Sequence, residues 1–200
     1  MKNYVVVITG ASGSVYGLKL VEQLLTAGHE VTLIATKAGR EVTAFETGFT
    51  IPEAGAGAAE AVMRFLEVSP TSALRVAGQH DLFDAAASGS ALIDGTVVCP
   101  ASMGFCGSIA AGLASDLPER AADVMLKERR PLVLVPRETP LSLVHLRNLT
   151  SLAEAGAIVV PASPGFYHKP TTLDDLVDFV VGKVLDQLGV PHDLFRRWGV

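Results

Sequence analysis

The chain has 200 residues, a formal net charge of −5 at pH 7 and a pI near 5.5. Hydrophobic residues make up 49% of it and charged residues 18%, a composition that suits one domain (residues 1–200) with a sizeable core. The acidic balance argues against a partner such as nucleic acid or an anionic membrane surface, and no apolar run approaches the roughly 20 residues of a membrane span.

Short β-branched runs alternate along the chain with longer segments of helical character, which predicts alternating strands and helices. In chain order, we expect a strand at residues 4–8, a helix at 15–27, a strand at 31–35, a helix at 38–47, a helix after the Gly/Ala-rich stretch 54–61, a strand at 73–77, a strand at 95–99, a helix at 107–114, a helix at 117–127, a strand at 132–135, a helix at 141–155, a strand at 158–160 and a helix at 173–188. Gly28 and Gly156 end two of these helices, and Thr171 or Thr172 caps the last.

The predicted strands are apolar on both faces and are separated by helices. This pattern indicates an α/β fold in which a mostly parallel sheet is covered by helices on both faces. In such sheets, ligands bind at the carboxyl ends of the strands. The candidate ligand-binding loops are residues 9–13, 36–40, 100–105, 136–140 and 161–170.

Cys99 and Cys106 are the two cysteines, and both lie in one strongly apolar stretch. We expect buried, reduced thiols rather than a disulfide, as in a cytoplasmic protein. The apolar run at residues 5–8 is too short for the core of a secretion signal. Because no membrane span is predicted, we expect the remaining apolar surface to be buried in contacts between subunits. We therefore predict a homo-oligomer.

The glycine-rich turn at residues 9–13, Thr-Gly-Ala-Ser-Gly, joins the first predicted strand to the first helix. Its glycines permit close backbone approach, Ser12 offers a hydroxyl, and the helix amino terminus supplies N–H groups for an anion. These features predict a phosphate-bearing ligand.

The dinucleotide G-x-G-x-x-G pattern and the Walker loop are absent, and no acidic residue follows the second strand. Lys37 and Arg40 suit the 2′-phosphate of NADP, so this cofactor stays an alternative on that evidence alone. The Tyr-x-x-x-Lys pair of short-chain reductases is missing, however. A mononucleotide fits the remaining features.

Two further groups of charged residues suit phosphate chemistry. Arg120 and Lys127 are seven residues apart and share one face of a predicted helix. Arg137 and Glu138 directly follow a buried strand, where an arginine suits a phosphate fork and a carboxylate can move protons. In the loop at residues 161–170, Tyr167 and His168 are expected to be partly exposed. No His/Cys/Asp cluster has metal-ligand spacing, so no metal site is predicted.

Together these segments resemble the flavin prenyltransferase family. The matching stretches are TGASGxxYG (residues 9–17), ASGS (87–90), ERAADVxLKERRPLVLVPRE (119–138), PASPGFYHKP (161–170) and DLVDFVVGKVLDQLGV (175–190). The resemblance implies a Rossmann-like (flavodoxin-like) three-layer flavoprotein, typically dodecameric, with its active site between subunits.

It also implies a metal-independent enzyme that joins a dimethylallyl group from dimethylallyl monophosphate to N5 and C6 of reduced FMN. The prenylated FMN would serve a partner decarboxylase, and a pyrophosphate donor remains an open alternative.

The resemblance assigns site residues by position in this sequence. The flavin-binding residues are Gly10, Ala11, Ser12, Thr36, Ser102, Met103, Gly104, Phe105 and Arg137. The residues expected around the dimethylallyl phosphate are Ser88, Gly89, Ser90, Arg120, Lys127, Glu138, Tyr167 and Lys183. Glu46 and Trp198 match further active-site positions, Trp198 near the prenyl pocket. In the implied mechanism, the cations and Tyr167 bind the phosphate, Glu138 exchanges a proton with it, and Ser12 orients flavin N5.

The sequence departs from the family pattern at four positions. Thr36 replaces a serine, Lys183 replaces an arginine with loss of the two-pronged phosphate geometry, and Met103 and Phe105 are bulkier than the usual threonines. The bulk of Met103 and Phe105 is expected to reshape the flavin or prenyl pocket.

Two rival functions remain. A flavin-dependent cysteinyl decarboxylase would carry an asparagine in the loop that here reads Pro-Ala-Ser-Met-Gly, and an essential histidine where His29 begins a strand. A non-catalytic FMN-binding or carrier subunit would keep the flavin residues and lose the phosphate set, whereas this sequence retains both.

Overall fold

The computed structural model describes residues 1–71 and 73–199, and its centre is a six-stranded sheet. The strands are β1 (Asn3–Ile8), β2 (Glu30–Ala35), β3 (Leu74–Ala77), β4 (Gly95–Ala101), β5 (Leu132–Pro136) and β6 (Ile158–Val159). All five pairings are parallel, in the order β3-β2-β1-β4-β5-β6. This is the strand order of a doubly wound Rossmann sheet, so the expected fold is confirmed.

Helices cover both faces of this sheet. They are α1 (Ser14–Thr26), α2 (Lys37–Thr47), α3 (Ala58–Phe65), α4 (Met103–Ala110), α5 (Leu117–Glu128), α6 (Leu143–Glu154) and α7 (Leu173–Leu188), with a short 3₁₀ turn at Ala85–Ala87. Alternate residues of β1 enter two separate hydrophobic clusters. Tyr4 and Val6 pack with α1, α3 and α7, whereas Val5 and Val7 pack with α4, α5 and α6. The strands are therefore buried on both sides, which explains their continuous apolar runs.

Helix α4 begins earlier than the sequence pattern predicts, and residues 100–105 are not a loop. Strand β4 continues to Ala101, and the Ser102 hydroxyl caps the new helix by accepting the N–H of Phe105 at 3.2 Å. The left-handed Gly112 (φ 73°) ends the segment, so the predicted helix at 107–114 is wrong at both ends.

The other predicted elements agree closely with the structure. Helix α7 has the predicted bounds, with Thr172 as its cap. Cys99 and Cys106 are buried free thiols, as expected. Among the described residues, no helix is long and apolar enough to cross a membrane.

Candidate functional site

Three of the predicted loops meet where the strand order reverses, between β1 and β4. The Thr9 hydroxyl donates to the carbonyl of Pro100 (2.7 Å) and accepts the N–H of Ser102 (2.8 Å). The N–H of Arg137, just after β5, donates to the carbonyl of Ala101 (3.4 Å). The carboxyl ends of β1, β4 and β5 thus form one centre, at the position where open α/β sheets bind ligands.

Helix α2 is held tightly against the same centre. Its cap, Thr36, donates its N–H to the carbonyl of Ile8 (3.0 Å) and accepts the N–H of Gly39 on its hydroxyl (3.0 Å). A Cβ at residue 39 would collide with the Ile8 carbonyl, and one at Gly10 would lie 2.7 Å from Cβ of Ala38. The cap of α2 is therefore formed by the hydroxyl of Thr36, a group that the usual serine of the family also carries.

The amino terminus of α1 is filled by a side chain of the protein itself. The Glu46 carboxylate accepts the N–H of Gly13 (3.0 and 3.1 Å), the N–H of Ser14 (3.0 Å) and the Ser14 hydroxyl (2.8 Å). Burial raises the pKa of this carboxyl, but hydrogen bonds from Ser12, Ser14 and Gly13 outweigh burial and hold its pKa below the ordinary value. The expectation that this terminus offers free N–H groups to a ligand anion is wrong for Gly13 and Ser14.

The amino terminus of α4 is open instead. Across the described part of the chain, the N–H groups of Met103 and Gly104 have no hydrogen-bond partner. Gly104 is exposed, and the space where its Cβ would stand is empty. The side chains of Met103 and Phe105 are buried in the core cluster with α5. Their bulk is therefore taken up by the core, and the expectation that it reshapes the ligand pocket is not supported.

Arg137 links this open terminus to the glycine-rich turn. Its Nε donates to the carbonyl of Ser12 at 3.1 Å, while its two Nη atoms have no partner within residues 1–71 and 73–199. The Ser12 side chain is exposed beside it. The centre thus offers two backbone N–H groups and the two Nη atoms of Arg137, and this set of donors suits an anionic ligand.

The second predicted group lies along α5. Arg120 donates from Nε to the carbonyl of Ala87 (3.1 Å) and from Nη1 to Asp123 (2.5 Å). Lys127 Nζ is paired with Glu128 Oε1 at 2.6 Å. Both cations are thus oriented by neighbouring carboxylates, on the shared helical face that the sequence predicts.

The segment with Ser88, Gly89 and Ser90 lies against these cations. A Cβ at Gly89 would lie 2.8 Å from Lys127 Nζ and would collide with Glu128. The hydroxyls of Ser88 and Ser90 are 2.8 Å apart. The predicted phosphate residues of α5 and of this segment are therefore adjacent.

The third group lies around the end of α7. The Tyr167 and Trp198 rings meet edge to face with centroids 5.4 Å apart. The Lys183 Nζ is 3.4 Å from Asp186 Oδ2. A cleft of about 580 Å³ is lined by Tyr167, His168, Lys169, Arg196, Arg197, Trp198 and Gly199.

These groups are not joined within one chain. Glu138 is exposed, and its carboxylate accepts only the N–H of Thr139 (3.1 Å) in the described residues. Lys183 lies on α7, which packs on one face of the sheet, and the Tyr167 ring contacts Phe179 of the same helix (centroids 5.6 Å apart). Arg120 and Lys127 lie on α5, which packs on the other face. A single chain, in its described part, therefore holds the predicted phosphate residues on two sides of the sheet and leaves the site divided.

Comparison with known proteins decides the family. The model of the Flavoprotein family matches residues 1–185. The flavin prenyltransferase UbiX of Pseudomonas aeruginosa is 46% identical over 192 residues, which cover 96% of this chain and 91% of that protein. The chain belongs to the flavin prenyltransferase family.

Two solved structures resemble this family member over its whole length. AnUbiX (PadA1), in complex with FMN and dimethylallyl pyrophosphate, is 37% identical with a TM-score of 0.88, covering 100% of this chain and 98% of that one. The dodecameric FMN-dependent UbiX-like decarboxylase of Escherichia coli O157:H7 is 38% identical with a TM-score of 0.87, covering 99% and 100%.

Sequence reasoning missed three residues that organise the site of this family member. Gln79 accepts the N–H of Lys37 (2.6 Å) and donates to the α5 cap Asp116 (2.7 Å), so it bridges two helix starts. Arg130 donates to the carbonyls of Gly89 (2.8 Å) and Ala91 (2.6 Å). Asp186 pairs with both Lys183 and Arg197. The spacing of Asp186 three residues after Lys183 was the one signal available in the sequence.

Proposed function

We propose that this chain is a flavin prenyltransferase that joins a dimethylallyl group from dimethylallyl monophosphate to N5 and C6 of reduced FMN. The observation that carries the proposal is the centre between β1 and β4, where the Ser12 turn, Arg137 and the open start of α4 meet. The identity to UbiX proteins and the likeness to a complex with FMN and dimethylallyl pyrophosphate support the same reaction.

The flavin would lie across this centre. Because Glu46 fills the start of α1, the FMN phosphate is assigned to the free N–H groups of Met103 and Gly104. Arg137 contributes the Nη atoms that its bond to Ser12 leaves over. The Ser12 hydroxyl would then orient N5. Reduced FMN supplies the two nucleophilic positions, N5 and C6.

Departure of the phosphate needs positive charge where negative charge develops. Arg120, Lys127 and Lys183 would supply it, with the Tyr167 hydroxyl as a further donor. Each of these cations pairs with a carboxylate of its own helix. When the phosphate binds, each cation would therefore exchange its carboxylate partner for a phosphate oxygen. Glu138 would exchange a proton with the phosphate, since its carboxylate retains free acceptor positions.

The divided phosphate residues favour a site that is completed between subunits. We therefore include a homo-oligomer, a dodecamer like the related Escherichia coli protein, in the proposal. Exposed apolar side chains at the start of α6 offer contact surface: Leu141, Leu143, Val144 and Leu146. Light scattering after size-exclusion chromatography tests the assembly.

Three further statements belong to the proposal. The chain forms a single flavoprotein domain (residues 1–200), it acts in the cytoplasm, and it delivers its product to a decarboxylase.

Both rival functions are disfavoured by particular residues. His29 precedes β2 and contacts Tyr4 edge-on (5.4 Å), at the amino ends of the strands. It therefore lies at the opposite edge of the sheet from the flavin centre and cannot serve as the histidine of a cysteinyl decarboxylase. A carrier subunit has no need of the oriented Arg120 and Lys127 pair.

Anaerobic incubation with reduced FMN and dimethylallyl monophosphate, followed by mass spectrometry of the extracted flavin, tests the reaction. We expect the flavin to gain the mass of one dimethylallyl group less the hydrogen that it replaces, and a parallel reaction with the pyrophosphate identifies the preferred donor. An unchanged mass, with reduced FMN demonstrably bound, would refute the proposal. A Glu138→Gln variant that works at full rate would refute only the proton role of Glu138.

A further inference from the structure

Asp186 gathers three basic side chains on one carboxylate. Its Oδ1 accepts from Arg197 Nη2 (2.8 Å) and lies 3.2 Å from His192 Nε2. Its Oδ2 accepts from Arg197 Nη1 (3.3 Å) and Lys183 Nζ (3.4 Å). The two bonds to one guanidinium form the forked pairing that is among the stronger hydrogen-bond geometries. Lys183 is a predicted site residue, and Arg197 immediately precedes another, Trp198.

Residues 192–198, here called the C-terminal strap, lie on the surface of α7. The Phe195 ring packs against Phe179 (centroids 5.0 Å apart) and against His192 (5.4 Å). A Cβ at Gly182 of α7 would lie 2.5 Å from Phe195 and 2.6 Å from His192. The strap can therefore approach α7 this closely only because residue 182 is glycine.

The end of the strap forms one wall of the cleft beside Tyr167. Trp198 contacts the Tyr167 ring edge to face, yet its side chain is 79% exposed. So exposed an indole has little packing of its own to fix it. Its neighbour in the chain, Arg197, is held by two hydrogen bonds on the carboxylate of Asp186.

We propose that Asp186 is a positioning residue that fixes Lys183 directly and Trp198 through Arg197, and so sets the separation of these two residues. That Lys183 and Trp198 bind the prenyl donor rests on the proposed function; that Asp186 anchors the strap does not. Hydrogen bonds from Arg197 outweigh burial and hold the pKa of the Asp186 carboxyl below its ordinary value, so the anchor is charged at neutral pH.

The only tryptophan of the 200 residues is Trp198, so intrinsic tryptophan fluorescence reports on the strap alone. We expect Asp186→Asn and Arg197→Gln each to lower the fluorescence anisotropy, because each removes a charged partner of the same ion pair. The double variant should resemble the single ones, since the two residues act through one interaction. Arg64→Gln, at an exposed arginine on α3, should leave the anisotropy unchanged.

Steady-state kinetics then connect the strap to the reaction. Asp186→Asn should raise KM for the prenyl donor about tenfold, about 1.4 kcal/mol in apparent binding, and leave KM for FMN unchanged. Asp186→Glu, which keeps the charge, should restore part of the anisotropy and of the donor KM. It also serves as the test protein if the asparagine variant does not fold.

The outcomes separate the two proposals. Unchanged fluorescence in Asp186→Asn and Arg197→Gln would overturn the anchoring. Altered fluorescence with an unchanged donor KM would overturn the positioning role. Altered fluorescence together with a wild-type protein that transfers no prenyl group would support the anchor and refute the proposed function.

Discussion

Replacement of Glu46 by glutamine tests how the glycine-rich turn is built. The wild-type carboxylate accepts the backbone N–H groups of Gly13 and Ser14 and the Ser14 hydroxyl, all at 2.8–3.1 Å. Glutamine keeps one acceptor oxygen but turns an amide N–H₂ toward groups that are themselves donors. The variant also removes the negative charge from the amino terminus of α1.

The expected cost follows from these contacts. Loss of a helix cap costs about 0.5–2 kcal/mol, and hydrogen bonds to a charged group contribute about 1.5–3 kcal/mol. Glu46 is exposed, so water replaces part of what is lost. We therefore expect Glu46→Gln to lower the free energy of unfolding by about 1–2 kcal/mol at pH 7. For a chain of this size each kcal/mol corresponds to about 2–4 °C in Tm.

The pH dependence gives the sharper measurement. The folded pKa of Glu46 lies below its unfolded value of about 4.3. Its contribution is therefore fully present above the unfolded pKa and is lost as the pH falls through the folded pKa. Urea unfolding from pH 7 to pH 3, at fixed protomer concentration, should show the two proteins converging in stability as the pH falls.

Glu41→Gln is the matched control, since Glu41 is an exposed glutamate on the same helix α2. It should change the unfolding free energy by less than about 0.5 kcal/mol. If Glu46→Gln costs no more than this control, or costs as much at pH 3 as at pH 7, the carboxylate does not stabilise the turn as described.

Three further substitutions or measurements examine the surrounding centre. Gly17→Ala should destabilise the fold by about 1–3 kcal/mol in urea unfolding, because a Cβ there collides with the carbonyl of Cys99, a backbone atom that cannot yield; wild-type stability would contradict this packing. Burial raises the pKa of the Cys106 thiol to about 12 and that of Cys99 further still. An aromatic disulfide reagent at pH 8 should therefore label neither thiol before unfolding and both after it, and rapid labelling of the native protein would contradict their burial. Thr36→Val removes the α2 cap on the N–H of Gly39 and should cost about 1 kcal/mol, whereas Thr36→Ser should cost much less; equal losses from the two variants would argue against the hydroxyl as the cap.

Much of the fold was predictable because its signals are local. Apolar runs on both strand faces and helix-ending glycines predicted the elements, their parallel pairing and the bounds of α7. The sequence also predicted which loops would meet, because the carboxyl ends of parallel strands share one edge. It failed at α4, where glycine-rich composition weakens the helical pattern and the cap at Ser102 follows the strand without a loop.

The sequence by itself thus determined the fold class, the family and the residue types of the site. Only the tertiary structure decided how those residues are used. Glu46 reaches Gly13 at the α1 terminus from 33 residues away, Arg137 reaches Ser12 from 125 residues away, and Asp186 holds Arg197 of the strap, 11 residues further along. Local patterns reflect neighbours within about one helical turn, whereas these contacts depend on strand order and on the packing of whole helices. Hence the sequence predicted a ligand site at residues 9–13, but only the structure showed that the amino terminus of α1 is filled by Glu46 whereas that of α4 is open.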